Sequence, residues 1–447
     1  MLSRLAAASV VCTPFWLPIF NDWHAWSTGL VITLGEVPLI GFTLLAAPKT
    51  IRSLTAKVTR APQHFEKSLD QRPERPKQEG AELRGRRSVD PYLTGLVVLL
   101  VALGLSTIVH LHPRGLQILF RLFGMICLAD HAIRGRIRSA MIAHAFVGIT
   151  AFEAAVAIWQ RITHAPVGLS ILGESPVPYY AIGRNAFSVC GTFPHPYPLA
   201  ALGLLGGAVA LSYGARQLIS HRMSLLGGFS GAIIVGLTVS RAGLLSAAGI
   251  AFGLLAAVVV SVKQRQGRTF ASVRSLIVFL LGLALGIAMS YGAWTFRATS
   301  QKVGTLNEMT SSRMDLVNES IDLYKLNPLF GVGAGRYSIE LSQHPEIIRF
   351  RSPGDVLPVH NAPLLFLAEG GVLSLLGLVV LALVIGQRLT TLGPIGIIFF
   401  SSVVPFLMLD IVYTVLPSGL FLLGVWGSLI SSLKAAQPLT QRSLRPP

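Results

Sequence analysis

Four side chains stand out in this 447-residue chain because apolar sequence surrounds the segments that carry them: Arg184, Arg241, Arg313 and His360. Arg241 lies in the short turn Ser240-Arg241-Ala242-Gly243 between two apolar runs. A guanidinium grips phosphate oxygens in bidentate fashion, and the small neighbours leave room for a bulky anion. A lone arginine at such a turn can equally snorkel to lipid headgroups, so both readings stay open. Arg184 and Arg313, taken singly, read as solvated loop residues. Converging with Arg241, they would make a diphosphate clamp that stabilises the charge on a departing group. His360 begins an apolar run. It either caps that helix or, titrating near neutral pH, takes a proton from an acceptor hydroxyl. Glu369 lies nine residues further on. At about 100° per residue, a continuous helix would turn it away from His360, so Glu369 is expected to pair inside the bundle.

The stretch from Trp294 to Gly371 has to position much of this chemistry. Met314, Val317, Ile321 and Tyr324 recur at helical spacing, with Asp315, Glu319 and Asp322 off that face. Ser312 and Asp315 suit a capped start, and Pro328 should stop the helix at Asn327. Gly331, Gly333 and Gly335 then alternate, which lets the backbone turn tightly or approach a ligand. No Gly-Lys-Ser/Thr follows, so this is not a nucleotide-binding P-loop.

The frame around these residues is membrane. The chain is 52% hydrophobic and 13% charged, with apolar runs near the ~20 residues that cross a bilayer as one helix. We therefore expect an all-α, polytopic bundle of about twelve transmembrane helices. Their expected spans are 5–20, 27–47, 92–111, 116–132, 139–160, 196–215, 223–240, 242–262, 274–294, 361–386, 394–410 and 412–433. The chain divides into an N-terminal hairpin (1–47), a charged cytoplasmic linker (48–91), a block of spans (92–294), a long, partly helical periplasmic loop (295–360) between the ninth and tenth spans, the last spans (361–433) and a tail (434–447). The +17 net charge suits basic loops on the cytoplasmic side better than nucleic acid, which places both termini there. No cleavable signal peptide is expected.

Three cysteines make no disulfide framework. Glu153 and Asp410, in or near spans, are expected to pack against an inward arginine such as Arg121. His110 and His112, with Pro113, suit an interfacial turn. No cluster has metal-ligand spacing, and no cofactor motif appears, so neither metal nor cofactor is expected.

Four segments in order resemble the O-antigen ligase and polymerase superfamily of bacterial membrane glycosyltransferases. They are Gly191-Thr192-Phe193 with Leu199-Ala200, Ser240-Arg241-Ala242-Gly243, Asn327-Pro328-Leu329-Phe330-Gly331-Val332-Gly333 with Gly335, and His360-Asn361 with Ala368-Glu369-Gly370-Gly371. Together they span about 184–386. Two positions depart from the family pattern, His195-Pro196 for the usual Asn-Pro and Ala362-Pro363 where an aromatic often follows His-Asn. The resemblance implies that Arg184 and Arg241 bind a carrier diphosphate, that Arg313 matches a recurrent family arginine, and that His360 activates an acceptor hydroxyl. Glu369, Gly331 and Gly333 support the site.

It further implies a metal-independent, inverting glycosyltransferase of the bacterial inner membrane. Its donor is a polyprenyl-diphosphate-linked glycan and its acceptor a glycan, lipid A core or protein hydroxyl. A ligase comes first with a polymerase nearly level, and a protein O-oligosaccharyltransferase follows. A polysaccharide or lipid transporter is the rival from another class. It would spread polar residues along a midplane path, whereas here they gather at one face.

Overall fold

The structure, a computed structural model, describes residues 1–12, 36–58, 90–176, 180–181, 186–264, 269–299, 313–349, 356, 358–409, 424–430 and 433. Its helices are α1 (Leu2–Cys12), α2 (Glu36–Val58), α3 (Pro91–Val109), α4 (Pro113–Ile133), α5 (Ser139–Thr163), α6 (Pro196–Ala215) and α7 (His221–Leu237). There follow α8 (Arg241–Lys263), α9 (Thr269–Met289), α10 (Tyr291–Thr299), α11 (Arg313–Leu326), α12 (Tyr337–Gln343), α13 (Ala362–Thr391) and α14 (Pro394–Leu409). A two-residue antiparallel ladder, β1 (Tyr180–Ala181) with β2 (Ala186–Phe187), is the small departure from an all-helical chain.

The chain is a multi-pass membrane protein. Seven helices among the described residues, α3, α4, α5, α6, α8, α9 and α13, are long and apolar enough to cross a bilayer. α7 and α14 follow expected spans but reach only 17 and 16 residues. α2 runs on to Val58, past the span end expected at 47. Parts of the expected spans (13–20, 27–35 and 410–423), the linker from 59 to 89 and the tail lie outside the described residues.

Small residues set the packing. A Cβ on Gly231 of α7 would collide with the Gly203 carbonyl of α6, and one on Gly214 with Ser224. These two helices therefore run antiparallel with their backbones nearly touching, the close approach that apolar side chains would forbid within a membrane. α7 and α9 run parallel, where a Cβ on Gly236 would lie 2.7 Å from the Gly286 backbone. α3 and α13 run antiparallel. Gly95 faces Leu381, Gly377 faces Leu99, and the Ser106 hydroxyl donates to the Glu369 carbonyl at 2.8 Å. Arg388 pairs with Asp90 at the far end of this couple and stacks 5.4 Å from the Tyr92 ring centroid.

One expected pairing is corrected. Arg121 takes Glu36 at 2.5 Å, because α2 and α4 run parallel with those residues at one depth. Glu153 instead accepts from Thr192, at 3.0 Å from its N–H and 2.5 Å from its hydroxyl.

Candidate functional site

The glycine loop and the break in α13 are one construction. α13 carries non-helical geometry at Gly371, with φ 65° and ψ −167°, so the carbonyls just before it lose their intrahelical donors. The glycine loop supplies the replacements. Val332 N–H donates to the Ala368 carbonyl and Gly333 N–H to that of Glu369, both at 2.9 Å, while Val372 N–H returns to the Pro328 carbonyl at 2.9 Å. Gly331, Gly333 and Gly335 all hold positive φ. A Cβ on Gly331 would strike the Glu369 backbone, and one on Gly371 the Leu329 carbonyl. The two glycine-bearing motifs are thus halves of a single splice. Glu369 completes it: its carboxylate accepts from the Gly335 and Tyr337 N–H groups and faces Arg114. It pairs inside the bundle, as expected.

α11 ends at Leu326, as Pro328 requires, and the Asn327 side chain then accepts from Phe330 N–H at 3.3 Å. The face it buries is not the expected one. Leu316, Glu319, Ser320 and Leu323 point inward with Asp315, whereas Met314 is exposed. Two spacing-compatible stripes compete on this helix, and the inward one wins through specific partners. Ser320 donates to the Leu364 carbonyl at 3.1 Å, Glu319 accepts from Arg349 N–H at 3.2 Å, and Leu316 and Leu323 join Val332, Tyr337, Leu341, Val359 and Leu365 in a small apolar core. Ser320 meets Leu364 and Pro328 meets Val372, both at an offset of 44 residues. That parallel register sets Leu316 level with His360 and puts Arg313 about one turn beyond. His360 itself precedes the helix. Asn361 is the N-cap of α13, accepting from Leu364 N–H at 3.0 Å. The expectation of His360 and Glu369 on one continuous helix is therefore corrected, although the two still point to different tasks.

The Arg241 turn is built equally firmly. Ser240 is buried and caps α8 by accepting from Gly243 N–H at 3.0 Å, which leaves Arg241 as the exposed first residue of that helix. A cation there opposes the helix dipole, whereas an anion bound there would agree with it. Val239 holds φ 53°, a costly conformation for a β-branched residue. Ser188 donates to the Thr238 carbonyl at 3.0 Å, so the 186–190 segment lies against this turn. That segment is itself suspended from α5. Gln160 accepts from Cys190 N–H at 3.1 Å and Gly191 N–H at 2.9 Å and donates to the Gly191 carbonyl, while a Cβ on Gly191 (φ 61°) would strike Glu153. The Gly191-Thr192 pair is thereby fixed by two buried side chains. Arg184, Ser312 and Asp410 lie outside the described residues.

α14 joins the two halves of the site. It runs antiparallel to α8, with Gly249 against Ser401 and Gly253 against Ile398. This register carries the Arg241 end of α8 to the Leu409 end of α14. Asn361 donates to the Met408 carbonyl at that same end, at 3.1 Å. Arg241, Arg313 and His360 thus gather at one end of the bundle.

Arg114 was not picked out from the sequence, whereas His110 and His112 were expected at an interfacial turn. Arg114, in the first turn of α4, lies beneath Gly335 and beside Glu369. His112 caps the same helix, and His110 meets Asn327 at 3.1 Å. Burial, with Arg336 and Arg114 nearby, pushes the His112 imidazole below its usual range. Arg336 pairs with Glu340. Among the described residues, no group of three or more His, Cys, Asp or Glu could hold a metal ion.

The structure is thus a multi-pass helical bundle with a cationic, imidazole-bearing cluster at one end. The O-antigen ligase family model matches residues 226–382, from within α7 to within α13. The matched stretch holds Arg241, Arg313, the glycine loop, His360 and Glu369, and over it the chain is similar to the O-antigen ligase family. No curated protein matches the chain.

Proposed function

We propose that the chain transfers a glycan from a polyprenyl-diphosphate carrier to a hydroxyl acceptor at the periplasmic face of the bacterial inner membrane, with both termini cytoplasmic. The donor diphosphate docks against Arg184, Arg241 and Arg313, close to the N-termini of α8 and α11. His360 takes the acceptor hydroxyl proton. The acceptor oxygen then bonds to the anomeric carbon, the bond from that carbon to the diphosphate oxygen breaks, and the leaving charge passes to the guanidinium groups. A single displacement inverts the anomeric centre and requires no metal. The acceptor is lipid A core in the ligase reading and a second glycan in the polymerase reading, with a protein hydroxyl as the further alternative.

The observation that carries this reading is the shared neighbourhood of Arg241 and Asn361 at the Leu409 end of α14. The break in α13 is the one feature a transporter would also show. Its freed carbonyls are taken by Val332 and Gly333 N–H groups rather than left for a passing ion, which favours the transferase reading. The test is incubation of purified protein with a polyprenyl-diphosphate oligosaccharide, acceptor and chelator, followed by NMR of the product linkage. Acceptor-linked glycan of inverted configuration is expected. Retained configuration, dependence on a divalent cation, or movement of intact donor across vesicles without bond formation would overturn it.

A further inference from the structure

Arg161, in the last turn of α5 at the site end of the bundle, is a buried cation that the mechanism above does not use. It is 7% exposed. Its Nε and Nη2 are buried without a hydrogen-bond partner among the described residues, where it also enters no ion pair with any carboxylate. Its guanidinium stacks over the Phe187 ring, 5.5 Å from the centroid, and the His164 ring meets the same phenyl edge-on. Stacking satisfies the face of the cation and leaves the Nε and Nη2 donors unmet.

Leaving such buried donors unmet is costly, and an anionic acceptor placed in their plane would offset that cost. The segment Val177 to Ala186, leading into Phe187, contains no Asp or Glu. Phe187 is followed by Ser188, whose hydroxyl bonds the Thr238 carbonyl three residues before Arg241. Arg161 and Arg241 therefore stand on walls joined by one hydrogen bond. We propose that Arg161 binds a phosphate oxygen of the anionic ligand that docks beside the Ser240–Arg241 turn. This rests on the diphosphate-linked donor argued above and adds a donor-binding residue beyond the arginines of the family motifs. Planar, forked recognition suits a phosphate group with several free oxygens.

The test uses the full chain in nanodiscs, as wild type, Arg161→Gln and Arg161→Lys. Undecaprenyl diphosphate and phosphatidylglycerol are added separately, and thermal unfolding, donor KM and kcat are measured. Undecaprenyl diphosphate should raise the wild-type unfolding temperature and leave Arg161→Gln nearly unmoved. Donor KM should rise about tenfold in Arg161→Gln, with kcat changed less than about threefold, as expected when binding alone is lost. Arg161→Lys should fall between, keeping the charge without the fork. A structural role alone would lower every unfolding temperature and leave the ligand-induced shift and KM intact, which overturns the proposal. So would loss of the phosphatidylglycerol response alone, which assigns the anion to a headgroup. If Arg161→Gln does not fold, an unchanged KM in Arg161→Lys overturns it equally. A wild type that neither responds to undecaprenyl diphosphate nor transfers glycan refutes the donor reading itself. A responsive wild type matched by Arg161→Gln refutes only the role of Arg161.

Discussion

Arg241 owes its position to Ser240, whose side chain closes the first turn of α8 while its backbone follows the strained Val239. Ser240→Ala removes that cap and should cost about 1 kcal/mol, seen as a lower unfolding temperature in detergent together with a higher donor KM. Unchanged values for both would separate the cap from the site. His112 makes a second prediction. Its folded-state pKa is depressed by burial, Arg336 and Arg114. The unfolded chain therefore takes up this proton first, and the stability His112 contributes is fully present above its unfolded pKa of about 6.5 and lost as pH falls below it. Thermal melts should show wild type losing more stability between pH 7 and pH 5 than His112→Asn, which retains a capping oxygen. Parallel pH profiles would contradict this.

Arg241 and His360 were legible in the sequence because each interrupts apolar text with a group that needs a reason to be there. Arg114 and Glu319 were not, because their partners are a backbone loop more than 200 residues away in one case and the main chain of Arg349 in the other. No local pattern encodes either contact.

Among the elements, the splice between the glycine loop and α13 does most to shape the site. Gly371→Ala places a Cβ in left-handed geometry and against the Leu329 carbonyl. The conformation alone, which hardly any residue but glycine adopts, costs about 1–3 kcal/mol, and the collision adds to it. We expect a clear fall in unfolding temperature and loss of glycan transfer. Gly386→Ala, on the same helix with nothing near its Cβ, should leave both at wild-type values. Equal behaviour of the two variants would show that the splice does not support the site. Apolar runs located the long helices among the described residues, α10 and α12 were not expected, and the helical spacing chose the wrong stripe on α11. Met314, Val317, Ile321 and Tyr324 satisfy the spacing as well as Leu316, Glu319 and Leu323 do, and only the hydrogen bond from Ser320 to Leu364 and the apolar core decide between them.

At the scale of the whole molecule, α6, α7 and α9 form a glycine-packed core against which the Arg241 turn is set. Gly231→Leu would force α6 and α7 apart where Gly203 and Gly207 now touch the opposing backbone. It should abolish the folded protein in detergent, read as loss of a monodisperse peak on size exclusion. The multi-pass architecture could be read from composition, whereas the meeting of α8, α11 and α13 around one end could not, since it depends on helix registers. The account stands most directly on the joint action of Arg241 and His360. Purified wild type, Arg241→Ala and His360→Ala should be incubated with a polyprenyl-diphosphate oligosaccharide and candidate acceptors, and the products weighed by mass spectrometry. Wild type should yield glycosylated acceptor with released polyprenyl diphosphate, and each folded variant neither; near-normal transfer by both variants would contradict the account.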